Sequence, residues 1–267
     1  MLGKLSERDF AVLRGPLESE RQSPSHLGSI LLLSIPFHAL VFFLTYVVAA
    51  DSTYYPNREE MFSVHFWITL IIVVFSLIYA IPAVYNRGQK MQYLVTILLS
   101  QNLFGVSFYI MALFFIFSPR IGMDGASALT FTYVTLSFGA LIFIVTCIRF
   151  YILLHKGHYR KGCKKDQLRG SIEGNIKSYL PMIIVASTGL VFVLQYLIRS
   201  SGFAELDTII MMGMFMLIFF TMLFVLPEQL VILYCKFRFK SFNFDMDGNL
   251  LTEDHMEDEE TGEGASL

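Results

Sequence analysis

The stretch RFYILLHKGHYRKGCKKDQLRGSIEGNIK, residues 149–177, decides how the rest of the chain is read. It carries Arg149, Lys156, Arg160, Lys161, Lys164, Lys165, Arg169 and Lys177 against Asp166 and Glu173 alone, and it separates four long apolar runs from two more. A membrane protein keeps such a loop on the cytoplasmic side, because the Lys and Arg bias of short loops orients the spans around them. The composition calls for a bilayer. Of 267 residues 55% are hydrophobic, 16% are charged and 26 are Phe, too few polar groups to solvate the surface of a water-soluble fold. The net charge of −2 hides a strong segregation, with basic residues gathered in the middle loop and nine of the 22 acids lying from Asp245 onward.

A helix rises about 1.5 Å per residue, so a hydrocarbon core of about 30 Å takes roughly 20 apolar residues. Six stretches qualify, at about 30–50, 63–85, 91–117, 128–154, 179–198 and 208–234. Backbone groups cannot stay unpaired in lipid, and apolar runs that are continuous instead of alternating exclude a barrel. The expected fold class is therefore all-α, a polytopic integral membrane protein with six transmembrane helices. An even number of spans places residues 1–28, the turn at 86–90, the 149–177 loop and the segment from 236 on one side. That side holds 17 of the 20 Lys and Arg residues, and the other holds Arg58, Arg120 and Arg199. Both termini are thus expected in the cytoplasm, with the plasma membrane as the location. The first run is too long for a secretory h-region and lacks a small-residue cleavage site, so it reads as a retained span.

Three regions follow. Residues 1–28, with four basic and four acidic side chains, read as a short polar cytoplasmic tail with at most a turn of helix. Residues 29–235 form the transmembrane domain. Residues 236–267 begin with Lys236, Arg238 and Lys240 alternating with Phe237, Phe239 and Phe242, a pattern suited to the headgroup boundary, and continue as an acidic tail expected to be disordered. The opening Asp245-Met-Asp247-Gly-Asn249 resembles a calcium loop only superficially, since its glycine falls at position 4 and Met256 stands at position 12. Cys147, Cys163 and Cys235 form no CxxC pair and are expected as reduced thiols. One internal similarity stands out: FSLIYAIP at 75–82 matches FTMLFVLP at 220–227 conservatively, and Pro36 to Pro82 spans the same 46 residues as Pro181 to Pro227. A parallel repeat of two hairpins would produce that spacing, and so would apolar composition alone.

Polar side chains inside lipid are costly, so they mark where chemistry could lie. Span one offers Ser34, His38 and Thr45 on one face; span two His65, Thr69 and Ser76; span three Gln101, Asn102 and Ser107; span five Thr188 and Gln195. His38, His65, Asn102, Gln195 and Glu228 are the candidates for a polar lining or, more blandly, for cross-helix packing. Glu228, following Pro227, is expected to pair with Arg149 or another cation. In the basic loop Lys156, Arg160, Lys161, Lys164, Lys165 and Arg169 are expected to touch anionic lipid, the acidic tail or a cytoplasmic partner. His155, His158 and Cys163 lack a fourth ligand, and lysines around them repel a cation, so no metal and no cofactor is expected. No HExxH, GxSxG, Walker or dinucleotide motif occurs, nothing indicates nucleic acid, and an enzyme is not expected. The expected role is a non-catalytic accessory, regulatory or immunity-type subunit making helix contacts with another membrane protein or itself. The alternative is a transporter or permease subunit for a small or amphipathic solute.

Overall fold

Five helices are long and apolar enough to cross a membrane, and the chain is an all-helical integral membrane protein. The computed structural model describes residues 2–51, 53–118, 125–163 and 204–251. The helices are α1 (Pro24–Ala49), α2 (Arg58–Tyr79), α3 (Gln89–Ile116), α4 (Gly125–His155) and α5 (Ala204–Arg238). The run expected at 179–198 lies outside the described residues. α3 is the central element, with Tyr93, Val95, Ile97, Leu99, Leu103 and Leu113 all buried. It packs on α1, α2 and α5, while α4 leans on α5. Outward faces are apolar, as with Leu33 on α1, Trp67 on α2 and Leu217 on α5, which lipid accepts and water would not.

Local chemistry explains the helix ends. α1 starts at Pro24, earlier than the apolar run predicts, because Ser23 accepts the His26 N–H at 3.3 Å and Pro24 fills the first helical position, where a missing N–H is harmless. α2 stops at Tyr79, short of the expected 85. The residue before a proline is pushed out of the helical region, and Ile81 is extended ahead of Pro82, which opens a separate turn over Pro82–Tyr85. Pro227, in the matching octet, lies inside the unbroken α5. The two proline-marked stretches thus differ in backbone, and Pro181 lies outside the described residues.

Both described chain ends fold onto the same pole of the bundle. Residues 2–18, expected as a polar tail, instead form a 3₁₀ helix at Glu7–Arg14 and a turn at Gly15–Glu18. Phe10, Leu13 and Leu17 are nearly inaccessible and pack with Leu27, Tyr93, Leu154, Ile232 and Cys235. Burial of that kind contributes about 1.5–3 kcal/mol per large side chain as an upper figure.

The segment after α5 departs from the headgroup-boundary reading in the same way. Lys236 is 1% exposed; its ammonium donates to the Phe242 carbonyl at 2.9 Å and lies 5.5 Å from the Tyr93 ring and 5.6 Å from the Phe244 ring. Gln89 exchanges two hydrogen bonds with the Phe244 backbone, at 2.8 and 2.9 Å. Asp245 accepts from the Asp247 and Asn249 amides, closing a turn through Gly248 at φ +88, so its carboxylate is occupied by its own loop. Order therefore extends through Leu251, and residues 252–267 lie outside the described residues. All three cysteines are free thiols.

Candidate intramembrane polar site

Hydroxyls and imidazoles dropped into an apolar bundle must bond either to their own helix or to each other. Most choose their own helix. Thr45 donates to the Val41 carbonyl at 2.8 Å, Ser76 to Ile72 at 2.8 Å and Ser34 to Leu31 at 2.7 Å. Near the pole opposite the chain ends, however, α1, α2 and α3 bring side chains together. Tyr46 Oη lies 3.2 Å from the Met61 carbonyl and 3.1 Å from His65 Nδ1. His65 Nε2 lies 3.3 Å from Ser107 Oγ, which is 2.9 Å from the Asn102 carbonyl, and Asn102 Nδ2 donates to Thr69 Oγ1 at 2.9 Å.

Two π-helical segments, Leu44–Ala49 closing α1 and Gln101–Val106 inside α3, help to position this cluster. Each inserts an extra residue per turn and rotates the following side chains, the usual reason such turns accompany sites. Ser107 can reach the Asn102 carbonyl, five residues back, because of that widened turn.

Counting hydrogens defines what the cluster can do. The four contacts linking the Met61 carbonyl, Tyr46, His65, Ser107 and the Asn102 carbonyl need four hydrogens, whereas Tyr46, Ser107 and a neutral His65 supply three. The chain is one hydrogen short, so two donor arrangements compete. Two further acceptors, His38 Nε2 and Asn102 Oδ1, are buried without a partner among the described residues. His38 is fixed by its other nitrogen, Nδ1, which donates to the Ser34 carbonyl at 3.2 Å.

Of the predicted residues, His38, His65 and Asn102 are thus gathered in one region, and Gln195 lies outside the described residues. Tyr46 was missed because an aromatic ring at a helix end reads as an interfacial anchor; only its partner across the hairpin reveals its hydroxyl as a bridge. Glu228 stands apart, at the pole carrying the chain ends. It lines a cavity of about 240 Å³ with Thr146, Arg149, Phe150, Tyr159 and Phe224, and Arg149 lies 5.9 Å from the Phe224 ring centre. Those two charges therefore share a cavity, as their opposite signs led us to expect.

The start of the basic loop is held by the N-terminal segment. Arg160 grips Asp9 with Nη2 at 2.7 Å and Nε at 2.8 Å, and Lys161 lies 3.9 Å from Glu18. Burial by itself would raise the Asp9 carboxyl, but Arg160 and the amide and hydroxyl of Ser6 outweigh it and hold the group below its ordinary 3.8. Lys156 is exposed beside this contact, and Lys164, Lys165 and Arg169 lie outside the described residues. His155 and Cys163 turn onto the Tyr151 and His158 carbonyls, and no three metal-ligating side chains cluster among the described residues. No family model matches the chain, and no curated protein or solved structure shows significant similarity to it.

Proposed function

We propose that the protein is a non-catalytic, multi-pass accessory or regulatory subunit that recognises an apolar helix of another membrane protein through the outer face of α1. One observation carries this reading. Between α1 and α3 a groove of about 540 Å³ opens sideways, walled by Ile30, Leu33, Phe37, Leu40, Leu103 and Phe104, with almost no polar surface. Leu33 is 75% exposed there. Association inside lipid relies on shape and close packing, which a preformed groove between two helices offers. The side chains that would line a solute path are meanwhile largely occupied with one another.

The finer topology belongs to the same proposal. α4 and α5 both end at the pole that carries the two chain ends, since Leu154 and Cys235 share one cluster there. Two helices running in one direction require a return crossing between them, which supports six spans in total. The excess of Lys and Arg at that pole supports a cytoplasmic location for both ends.

Photo-crosslinking separates the outcomes. A benzophenone side chain at Leu33 or Phe37 should give one discrete adduct with a transmembrane protein that also migrates with this chain in mild detergent. The same group at Leu217 or Leu141, exposed elsewhere, should not. Equal labelling at all four positions would end the proposal. A second reading, a proton-linked transporter subunit, rests on the missing hydrogen in the Tyr46–His65–Ser107 chain. It requires solute flux in reconstituted vesicles that His65→Phe abolishes at unchanged protein abundance.

A further inference from the structure

On the other side of α1 a second crevice, of about 400 Å³, lies between α1 and α2. Its walls are apolar, with Ala39, Phe42 and Phe43 facing Phe66 and Leu70, and its polar residues are His38 and Thr69. Its volume falls in the range of about 300–1,000 Å³ typical of small-molecule sites, and so does its design, an apolar chamber with a polar group that fixes orientation. Exposed flanks at Phe43 and Phe66 make its mouth lateral, towards acyl chains.

The chemistry of His38 narrows the occupant. A carbonyl only accepts, so the contact from Nδ1 to the Ser34 carbonyl places the hydrogen of a neutral imidazole on Nδ1. Nε2 is then an acceptor. It belongs to a residue only 3% exposed, and it has no partner among the described residues. A buried acceptor without a donor costs about 1–3 kcal/mol, so a molecule that brings a donor to it gains what the apo site lacks. Thr69 Oγ1 already accepts from Asn102 and stands ready to receive or donate beside it. His38 lies near the midpoint of α1, roughly 15 Å from either interface of a core about 30 Å thick, too deep for a charged or zwitterionic headgroup.

We propose that this crevice binds a hydrophobic alcohol drawn from the bilayer, an apolar body whose single hydroxyl donates to His38 Nε2. This goes beyond the helix-recognition reading and does not depend on it, since the two grooves lie on opposite flanks of α1.

The probe is a diazirine-bearing dodecanol, photolysed with the purified full chain in lipid nanodiscs. Label should map to Phe42, Phe66 or Leu70. Unlabelled dodecanol should compete about tenfold better than dodecyl methyl ether, which has the same chain and no donor. His38→Phe should bring the two competitors within twofold, and His38→Gln, which keeps an acceptor, should retain most of the difference. Ala39→Phe should fill the crevice and suppress labelling. Equal competition by alcohol and ether in the unaltered protein would reduce the site to a slot for acyl chains and overturn the proposal, as would label mapping elsewhere. Because that comparison needs no variant, a misfolded His38→Phe leaves the test intact.

Discussion

Asp9 illustrates how a single side chain ties the molecule together. Its carboxylate receives Arg160 and both Ser6 donors, and its side chain is only 7% exposed while that of Arg160 is 62% exposed. Asp9→Asn should therefore cost about 1–2 kcal/mol, less than a fully buried pair because solvent screens the guanidinium. The sign with pH follows from the depressed folded-state value. The contribution is complete above the unfolded carboxylate range near 4 and is lost as pH falls through the lower folded value. Thermal unfolding between pH 3 and 7 should show a drop at the acid end that Asp9→Asn flattens. A contrasting result is expected inside the membrane, where Asn102 donates one hydrogen bond and leaves its oxygen unpartnered. Asn102→Leu removes both, so equilibrium unfolding in detergent should place it within about 1 kcal/mol of the parent; Asn102→Asp should fall well below. Much of this site was legible as residue types, since polar side chains in apolar runs are conspicuous. Which of them meet was not. Asn102 donates to Thr69, 33 positions away in the chain, and no spacing rule connects them.

Helices meet where side chains are small. A β-carbon on Gly139 of α4 would stand 2.8 Å from Leu223 Cδ1 and 3.4 Å from Phe219 Cε1 on α5, so the missing side chain sets how closely the two helices approach. Gly139→Val should cost about 1–3 kcal/mol by forcing them apart. Gly213, on the same α5 with nothing within 4 Å of its would-be β-carbon, should accept Ala with no loss and a gain of up to about 1 kcal/mol in helix propensity. Steric-trapping measurements in detergent on both variants test the pair. Element existence was the most readable level of this chain, because runs of about 20 apolar residues have few alternatives in lipid. Element ends were less so. Hydropathy ignores caps, so it started α1 too late and ran α2 through the break at Ile81–Pro82. Residues 2–18 were misread for a related reason: Phe10, Leu13 and Leu17 form an i, i+3, i+7 stripe, but the charges between them dominate any average taken over the segment.

At the scale of the whole molecule, one pole is a folded cap and the other is little more than helix ends. The cap joins three distant segments: the Val12 amide donates to the Tyr159 carbonyl at 2.8 Å, Arg238 to Gly3 at 2.9 Å and Arg14 to Leu251 at 3.3 Å, and Ser241 bonds to Glu7. This contact network gives the charge segregation of the sequence a structural role, since the N-terminal acids neutralise the start of the basic loop. It also makes sidedness a sharp test. In a chain with its three cysteines replaced by Ala, Tyr54→Cys lies exposed at the far pole, whereas Glu20→Cys and Asp247→Cys lie exposed at the cap. If the cap is cytoplasmic, a membrane-impermeant maleimide added to intact cells should label Tyr54→Cys and leave the other two until the membrane is opened. Reversed labelling would turn the molecule over and move the basic loop outside. Labelling of Glu20→Cys but not Asp247→Cys would separate the two ends by a bilayer, which the shared cluster around Phe10 and Phe242 does not allow.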